Sequence, residues 1–132
     1  MHETSGLEYY KGKYLITHND GGHKSEIYVI SKAGKIKKKI NIKDVENKDW
    51  EDIASSPDGR LFIGDIGNNL NNRKKCKIYI LKDGFIDKED VKAKKISFTY
   101  EDQKKYPPKE SKMNFDAEAM IWMNDSIYIF TK

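Results

Sequence analysis

Three segments of the chain repeat one pattern. They are "SGLEYYKGKYLITHND" from Ser5, "EDIASSPDGRLFIGDIGNN" from Glu51 and "EAMIWMNDSIYIFTK" from Glu118. Each has an apolar residue near its start, then a turn, then a strand rich in β-branched and aromatic residues. The turns differ in length, so the segments share a pattern and not an identical sequence. Internal repetition of this kind predicts a fold built from similar units.

The residues between the repeats extend each unit to four strands. "EIYVIS" (26–31) and "KIKKKINI" (35–42) follow the first repeat, and "KIYILK" (77–82) and "KAKKISFTY" (92–100) follow the second. The last strand of each unit carries lysines, which is typical of a sheet edge protected from pairing with other chains. Four-stranded units at roughly 45-residue spacing are typical of β-propeller blades. A β-sandwich also has many short strands, but it would not ordinarily repeat both the strand order and the acidic clusters between strands.

The predicted fold class is therefore all-β, a β-propeller with four-stranded antiparallel blades. Blade one covers about 5–43, blade two about 49–100, an insertion loop about 101–115, and half of blade three about 116–132. About two and a half blades cannot close a ring. We therefore expect a single partial domain, the N-terminal part of a larger propeller, whose open surfaces meet the remaining blades or self-associate.

A turn signature in the second repeat brings two acidic clusters together. "SPDG" (56–59) is typical of a type I β-turn, with proline at the second position and glycine at the fourth. The flanking runs 53–55 and 61–64 then form a hairpin. Asp49–Asp52 and Asp65–Asn69 should lie at the same end of it.

Propeller geometry places the loops between blades, and those joining the second and third strands of a blade, on one face. These loops carry the clustered carboxylate and amide side chains: His2-Glu3, His18–Asp20, Asp49–Asp52, Asp65–Asn69 and Asp116–Glu118. Converging carboxylates repel each other unless a positive charge lies between them. Ca²⁺ takes roughly 6–8 oxygen ligands of these types. We predict a Ca²⁺ or other divalent-cation site at the channel mouth, with the ligands Glu51, Asp65, Glu118 and Asn19.

Turn preference offers a second explanation for some of these residues, since Asp and Asn side chains bond their own backbone in turns. We interpret Asn68, Asn69, Asn71 and Asn72 in that way. Glutamate has no such preference, which favours a functional role for Glu51 and Glu118. His18 is a candidate general base, and its spacing from His23 matches no compact zinc motif.

Composition excludes several classes of site and partner. The net charge is +4, but the lysines are spread among acidic and apolar residues, which does not favour nucleic-acid binding. The single cysteine excludes an internal disulfide and a cysteine-based metal site. No apolar run approaches the roughly 20 residues of a membrane span. The first residues do not form a signal peptide, so the residues themselves assign no compartment.

The motifs "SGL", "THND", "DWEDIA", "GDIGNN" and "DAEAM" resemble, in this order, a group of poorly characterised bacterial β-propeller proteins that are often exported. That group is more distantly similar to senescence-marker-protein/gluconolactonase and phytase-like propellers, in which acidic and amide residues hold Ca²⁺ or another divalent cation. The resemblance spans 5–132 and implies an extracellular or periplasmic location. Where the group more often has "GDIGDN", this chain has Asn68, which removes one charge from a cation site.

Three functions are consistent with these residues. The first is a metal-dependent hydrolase of lactonase or phosphoesterase type, in which the metal polarises a carbonyl or phosphoryl oxygen and activates water. The second is a non-catalytic module that binds a small-molecule or protein ligand at the channel mouth and whose cation is structural. The third is a protein-interaction surface without a metal. The sequence does not distinguish the first two and names no substrate.

Overall fold

The computed structural model describes all 132 residues, which form eleven strands in three sheets. The first sheet has the order β1-β2-β3-β4-β8, the second β5-β6-β7-β9 and the third β10-β11. The strands of the first sheet are β1 (Thr4–Tyr10), β2 (Tyr14–Asn19), β3 (Glu26–Ile30), β4 (Ile36–Lys43) and β8 (Asp90–Lys92). Those of the second are β5 (Trp50–Ser55), β6 (Leu61–Asp65), β7 (Cys76–Leu81) and β9 (Lys94–Phe98). Those of the third are β10 (Ala117–Met123) and β11 (Ser126–Thr131).

The all-β prediction is confirmed. In each of the first two sheets, four strands follow one another as antiparallel neighbours. No sheet closes on itself, so the propeller arrangement stays a prediction. The only helical residues lie in two 3₁₀ turns, Phe85–Asp87 and Glu110–Lys112. No helix has the length and apolar character needed to cross a bilayer.

The predicted hairpin around Ser56–Gly59 is confirmed. The Gly59 amide donates to the Ser56 carbonyl at 2.9 Å, and Gly59 has a φ of 87°, which glycine adopts without strain. β5 and β6 then pair from Ser55 opposite Leu61 to Trp50 opposite Asp65. The start of β5 and the end of β6 therefore lie side by side, as the turn predicts.

The lysine-rich strand predicted over 92–100 is present as β9 (Lys94–Phe98), and a short strand that was not predicted, β8 (Asp90–Lys92), precedes it. β8 leaves the second unit and pairs in parallel with the end of β4, with Val91 opposite Ile42. Burial of Val91, which is 8% exposed, against the first core favours this pairing. β4 is therefore not an open edge along this part of its length. β9 remains the edge of the second sheet, and Lys94 and Lys95 on it are exposed.

Two apolar cores lie between the successive sheets. The larger core, between the first and second sheets, contains Tyr10, Ile16, Ile27, Val29, Ile40, Ile42, Trp50, Ile53, Leu61, Ile63, Tyr79, Leu81, Phe85 and Val91. The smaller core, between the second and third sheets, contains Ala54, Phe62, Ile66, Cys76, Ile78, Ala117 and Met120. The second sheet thus packs against a neighbouring sheet on each face, and the three sheets follow one another in chain order.

We expect Tyr10→Phe to lower the free energy of unfolding by about 1–3 kcal/mol, because it leaves a buried carbonyl without its donor. Tyr10 is fully buried, and its hydroxyl donates to the Gly59 carbonyl at 2.7 Å and contacts Asp83 at 3.1 Å, which joins the first and second sheets. Urea denaturation measures the change.

Tyr9→Phe is the matched control, since the Tyr9 hydroxyl donates to Gly12 from a side chain that is 56% exposed. It should change stability by less than about 0.5 kcal/mol. Equal losses in the two variants would contradict a special role for the buried hydroxyl.

Candidate functional site

Three carboxylates meet where the first and second sheets adjoin. One oxygen from each of Asp20, Asp49 and Glu51 lies within 4.8 Å of the other two. Asp20 directly follows β2, Asp49 directly precedes β5, and Glu51 is the second residue of β5. The turn after β6 lies against the same point, because the Ile66 and Gly67 amides both donate to the Asp49 carbonyl at 3.1 Å.

Two glycines leave the space in which these carboxylates lie. A Cβ atom at Gly67 would collide with an oxygen of Asp49 and an oxygen of Glu51. A Cβ at Gly21 would lie 2.5 Å from the other oxygen of Asp49 and 2.8 Å from the Lys48 carbonyl. Any larger residue at either position would displace the acidic side chains, so the glycines are part of the site.

Two carboxylates of this cluster, Glu51 and Asp49, have raised pKa values. Glu51 is 9% exposed, and burial raises its pKa to about 8, with further contributions from Glu118, Asp20, Asp49 and Asp116. Burial also raises the pKa of Asp49, against the opposing effect of Arg73. Since Glu51 makes no side-chain hydrogen bond, its negative charge has no protein partner. The cluster therefore carries less negative charge near neutral pH than three ionised carboxylates would. A bound cation would displace the proton and favour the ionised carboxylates.

Asp65, one of the predicted ligands, lies beside the cluster in a buried ion pair. Its Oδ1 is 3.0 Å from Arg73 and also accepts a hydrogen bond from the Asp49 amide at 3.0 Å. The two side chains are 0% and 8% exposed, and Asp65 Oδ2 has no hydrogen-bond partner. Asp65 thus positions the Asp49 backbone, while its charge is balanced by arginine.

Arg73 is a functional residue of the loop that sequence reasoning missed. Besides its ion pair, it donates to the Gly67 carbonyl at 2.6 Å and to the Asp65 carbonyl at 3.2 Å. It therefore holds the turn that covers Asp49. A signal was present in the sequence, since Arg73 is one of only two arginines in a chain otherwise rich in lysine, and arginine is preferred in buried ion pairs.

The other two predicted ligands have different surroundings. Glu118, near the start of β10, has a side chain that is 40% exposed and pairs with Lys132 at 2.5 Å. It lies close enough to contribute to the raised pKa of Glu51. Asn19 is buried, its Oδ1 accepts from the His2 amide at 3.0 Å, and its Nδ2 donates to the Tyr28 hydroxyl at 3.2 Å. Glu118 therefore flanks the cluster, whereas the Asn19 amide is occupied by protein partners.

His18, the predicted general base, is fully enclosed. It is 0% exposed, lies edge-on to Trp50 with 5.7 Å between ring centroids, and its Nε2 faces Gly6 without a hydrogen-bond partner. Its Nδ1 donates to the Asn19 carbonyl at 2.8 Å. Burial lowers the pKa of His18, which favours the neutral ring.

The asparagines after Gly67 hold the loop together. Asn68 Nδ2 donates to the Phe115 carbonyl at 2.9 Å, and the Asn68 amide donates to Asp116 at 2.7 Å. Asn71 has a φ of 49°, and its Oδ1 accepts from the Phe115 amide at 2.7 Å. These contacts run to residues more than 40 positions away along the chain, so they tie the loop after the second sheet to the segment before the third.

A polar groove of about 430 Å³ borders Asp49. Its lining includes Lys48, Asn69, Asn72 and Arg73. Amide and basic groups therefore lie directly beside the acidic cluster.

We expect Arg73→Ala to lower the free energy of unfolding by about 3–5 kcal/mol, because it leaves the Asp65 carboxylate buried and unpaired. Arg60→Ala is the matched control, since Arg60 pairs with Asp58 at the surface and is 41% exposed. That change should cost less than about 1 kcal/mol. Chemical denaturation of both variants measures the difference, and similar losses would show that the buried pair has no special weight.

Comparison with known proteins gives no match for this chain. No protein-family model matches it, and neither does any curated protein or solved structure. The chemistry of the site is accordingly inferred from its own residues: three carboxylates, two glycines that make room for them, and a buried arginine beneath.

Proposed function

We propose that this chain forms successive blades of a β-propeller and binds a divalent cation, Ca²⁺, at Asp20, Asp49 and Glu51. The observation that carries the proposal is the convergence of three carboxylates within 4.8 Å, one of which, Glu51, is only 9% exposed. In the absence of a cation, burial and mutual repulsion favour protonation of Glu51. A bound cation would remove that repulsion and replace the proton.

The donor set supports a hard cation. The three side chains offer only carboxylate oxygens, which suit Ca²⁺ and Mg²⁺, while zinc sites commonly include histidine or cysteine. Three carboxylates can supply up to about six oxygens, close to the roughly 6–8 that Ca²⁺ takes, with water or backbone carbonyls completing the shell. Mg²⁺ demands a stricter octahedral geometry and keeps more of its water, so the dense acidic cluster favours Ca²⁺.

The positions of the ligands support a structural cation. Asp20 belongs to the first unit, and Asp49 and Glu51 begin the second, so a cation would link the two units. This corresponds to the non-catalytic module among the predicted functions. The hydrolase activity stays a prediction, and His18, its predicted general base, is enclosed behind Gly6 and Trp50. The polar groove beside Asp49 supports a small polar ligand near the cation.

The propeller assignment is supported by the repeated arrangement of the sheets. Two consecutive units each contribute four antiparallel neighbours in chain order, and each sheet packs on the next through an apolar face. Propeller blades have this strand order and stack in this way.

We expect Ca²⁺ to raise the thermal midpoint of the chain relative to the same sample in chelator. The folded state alone assembles the three ligands, so a concentration of 100 times Kd should stabilise it by about 2.7 kcal/mol. Glu51→Gln removes one charged ligand and should abolish most of this difference. Differential scanning calorimetry with and without Ca²⁺ measures it.

Glu89→Gln is the matched control, because Glu89 is exposed and lies outside the cluster. It should keep the full calcium effect. Coincident melting curves of the unmodified chain in calcium and in chelator would reject the cation site and favour a protein-interaction surface without a metal.

We further expect Ca²⁺ affinity to rise with pH and to level off above about pH 8. Binding must displace the proton from Glu51, whose pKa is raised to about 8, so affinity should increase by up to tenfold per pH unit below that value. Isothermal titration calorimetry at pH 6, 7 and 8, in buffers of different ionisation enthalpy, measures both affinity and proton release.

Stability without the cation should show the opposite trend. Folded Glu51 keeps its proton to about pH 8, whereas the unfolded side chain loses it near 4.5. The folded state therefore binds more protons across this window, and stability falls as pH rises through it. Glu51→Gln should flatten that fall. For the affinity measured by titration calorimetry, a constant value from pH 6 to 8 would contradict the protonation of Glu51.

A further inference from the structure

The loop between the second and third sheets is tied at both ends to one residue. Gln103, which is 4% exposed, donates from Nε2 to the Asn71 carbonyl at 2.8 Å. At the other end of the loop, the Phe115 amide donates to Asn71 Oδ1 at 2.7 Å. A compact surface loop whose ends lie close together is an Ω-loop, a type that is frequently functional. Residues 103–115 thus form a closed loop that is anchored on the second unit.

Hydrogen bonds inside this loop fix the backbone that carries its lysines. Gln103 Nε2 also donates to the Lys105 carbonyl at 3.3 Å, and the Tyr106 hydroxyl donates to the Gln103 carbonyl at 3.0 Å. The Lys112 amide donates to the Lys109 carbonyl at 2.8 Å, at the second 3₁₀ turn. The backbone positions of Lys105, Lys109 and Lys112 are therefore set by contacts within the loop.

A groove of about 530 Å³ opens on this loop. Its lining comes entirely from residues 102–115, so one continuous segment provides every wall. Asp102 is the only carboxylate in the lining, and Ser111 and Asn114 add neutral hydrogen-bond donors. The lining also contains four lysines, which are Lys104, Lys105, Lys109 and Lys112.

These lysines have no acidic partner. None of the four forms an ion pair, whereas Lys11 and Lys43 on the first sheet pair with Asp83 and Asp90. Lys104 donates to the Glu101 carbonyl at 2.6 Å, which leaves its charge unbalanced. Positive charges gathered around a concave surface repel one another and attract anions. A bound anion would relieve that repulsion.

We propose that the groove on residues 102–115 binds a small multivalent oxyanion, a molecule that carries two or more negative charges on oxygen atoms. Lysines are compact point charges on flexible stems, so they accommodate such an anion without a fixed planar geometry. A single negative charge would leave most of the ammonium charge unbalanced. The volume lies within the range of about 300–1,000 Å³ that small-molecule sites occupy. The inference stands independently of the cation site.

The lining favours a small anion over a nucleic-acid strand. Proteins that hold single strands stack the bases on aromatic side chains. The only aromatic residue of the groove is Phe115, which is 6% exposed and so offers no ring face for stacking.

Isothermal titration calorimetry with tripolyphosphate and with citrate tests the proposal and distinguishes phosphate from carboxylate as the source of the oxygens. The buffer is stripped of metal ions, so that neither probe binds through a cation at the acidic cluster. We expect saturable binding of at least one probe with one site per chain. Acetate, with a single charge, should bind at least tenfold more weakly. Absence of saturable binding by both probes, or equal binding of acetate, would overturn the proposal.

Paired substitutions locate the site. Lys105→Gln with Lys109→Gln removes two ammonium groups from the groove and should weaken binding of the probe at least tenfold. Lys35→Gln with Lys37→Gln is the matched control, because both lysines are exposed, lie outside the loop and lower the net charge equally. It should change the affinity by less than about twofold. Circular dichroism confirms that both variants fold, and equal weakening in the two would overturn the assigned site.

Discussion

The buried ion pair between Arg73 and Asp65 is the interaction on which the candidate site depends. A charged pair removed from water is costly unless hydrogen bonds offset the loss of solvation. Arg73 also donates to the carbonyls of Gly67 and Asp65, whereas Arg73 Nε and Asp65 Oδ2 have no partner. Through Asp65 the pair also binds the Asp49 amide. One contact between two loop ends thus determines where the backbone of the acidic cluster lies.

The strands of the first two units were largely predictable because the signals are local. Alternation of apolar and polar residues and the "SPDG" turn specify the β5–β6 hairpin without reference to distant residues. β8 was not predictable in this way, because its three residues pair with β4 of the first unit. That pairing buries Val91 in the larger core. That outcome depends on a contact about fifty residues away along the chain, which a local pattern does not encode.

The site shows the same division between local and distant information. The hairpin predicts that the acidic ends of β5 and β6 meet, and Glu51 does lie in the cluster. The other members of the cluster depend on which carboxylates pair with a basic side chain elsewhere. Arg73 pairs with Asp65 and Lys132 pairs with Glu118, so Asp20 and Asp49 are the carboxylates that remain beside Glu51. Residue type identifies candidate ligands in the sequence. The ion pairs formed in the folded chain decide which of those carboxylates remain in the cluster.

The crossing of β8 from the second unit to the first sheet has a consequence for how the chain reaches its fold. β4 pairs with β3 over residues 36–41, but the outer edge of its last residues stays open until residues 90–92 are present. Such a long-range parallel pairing raises contact order and slows folding. It also prevents the first unit from opening as a separate cooperative element, because losing β8 exposes Val91 and Ile42 together. We therefore expect the two units to unfold together.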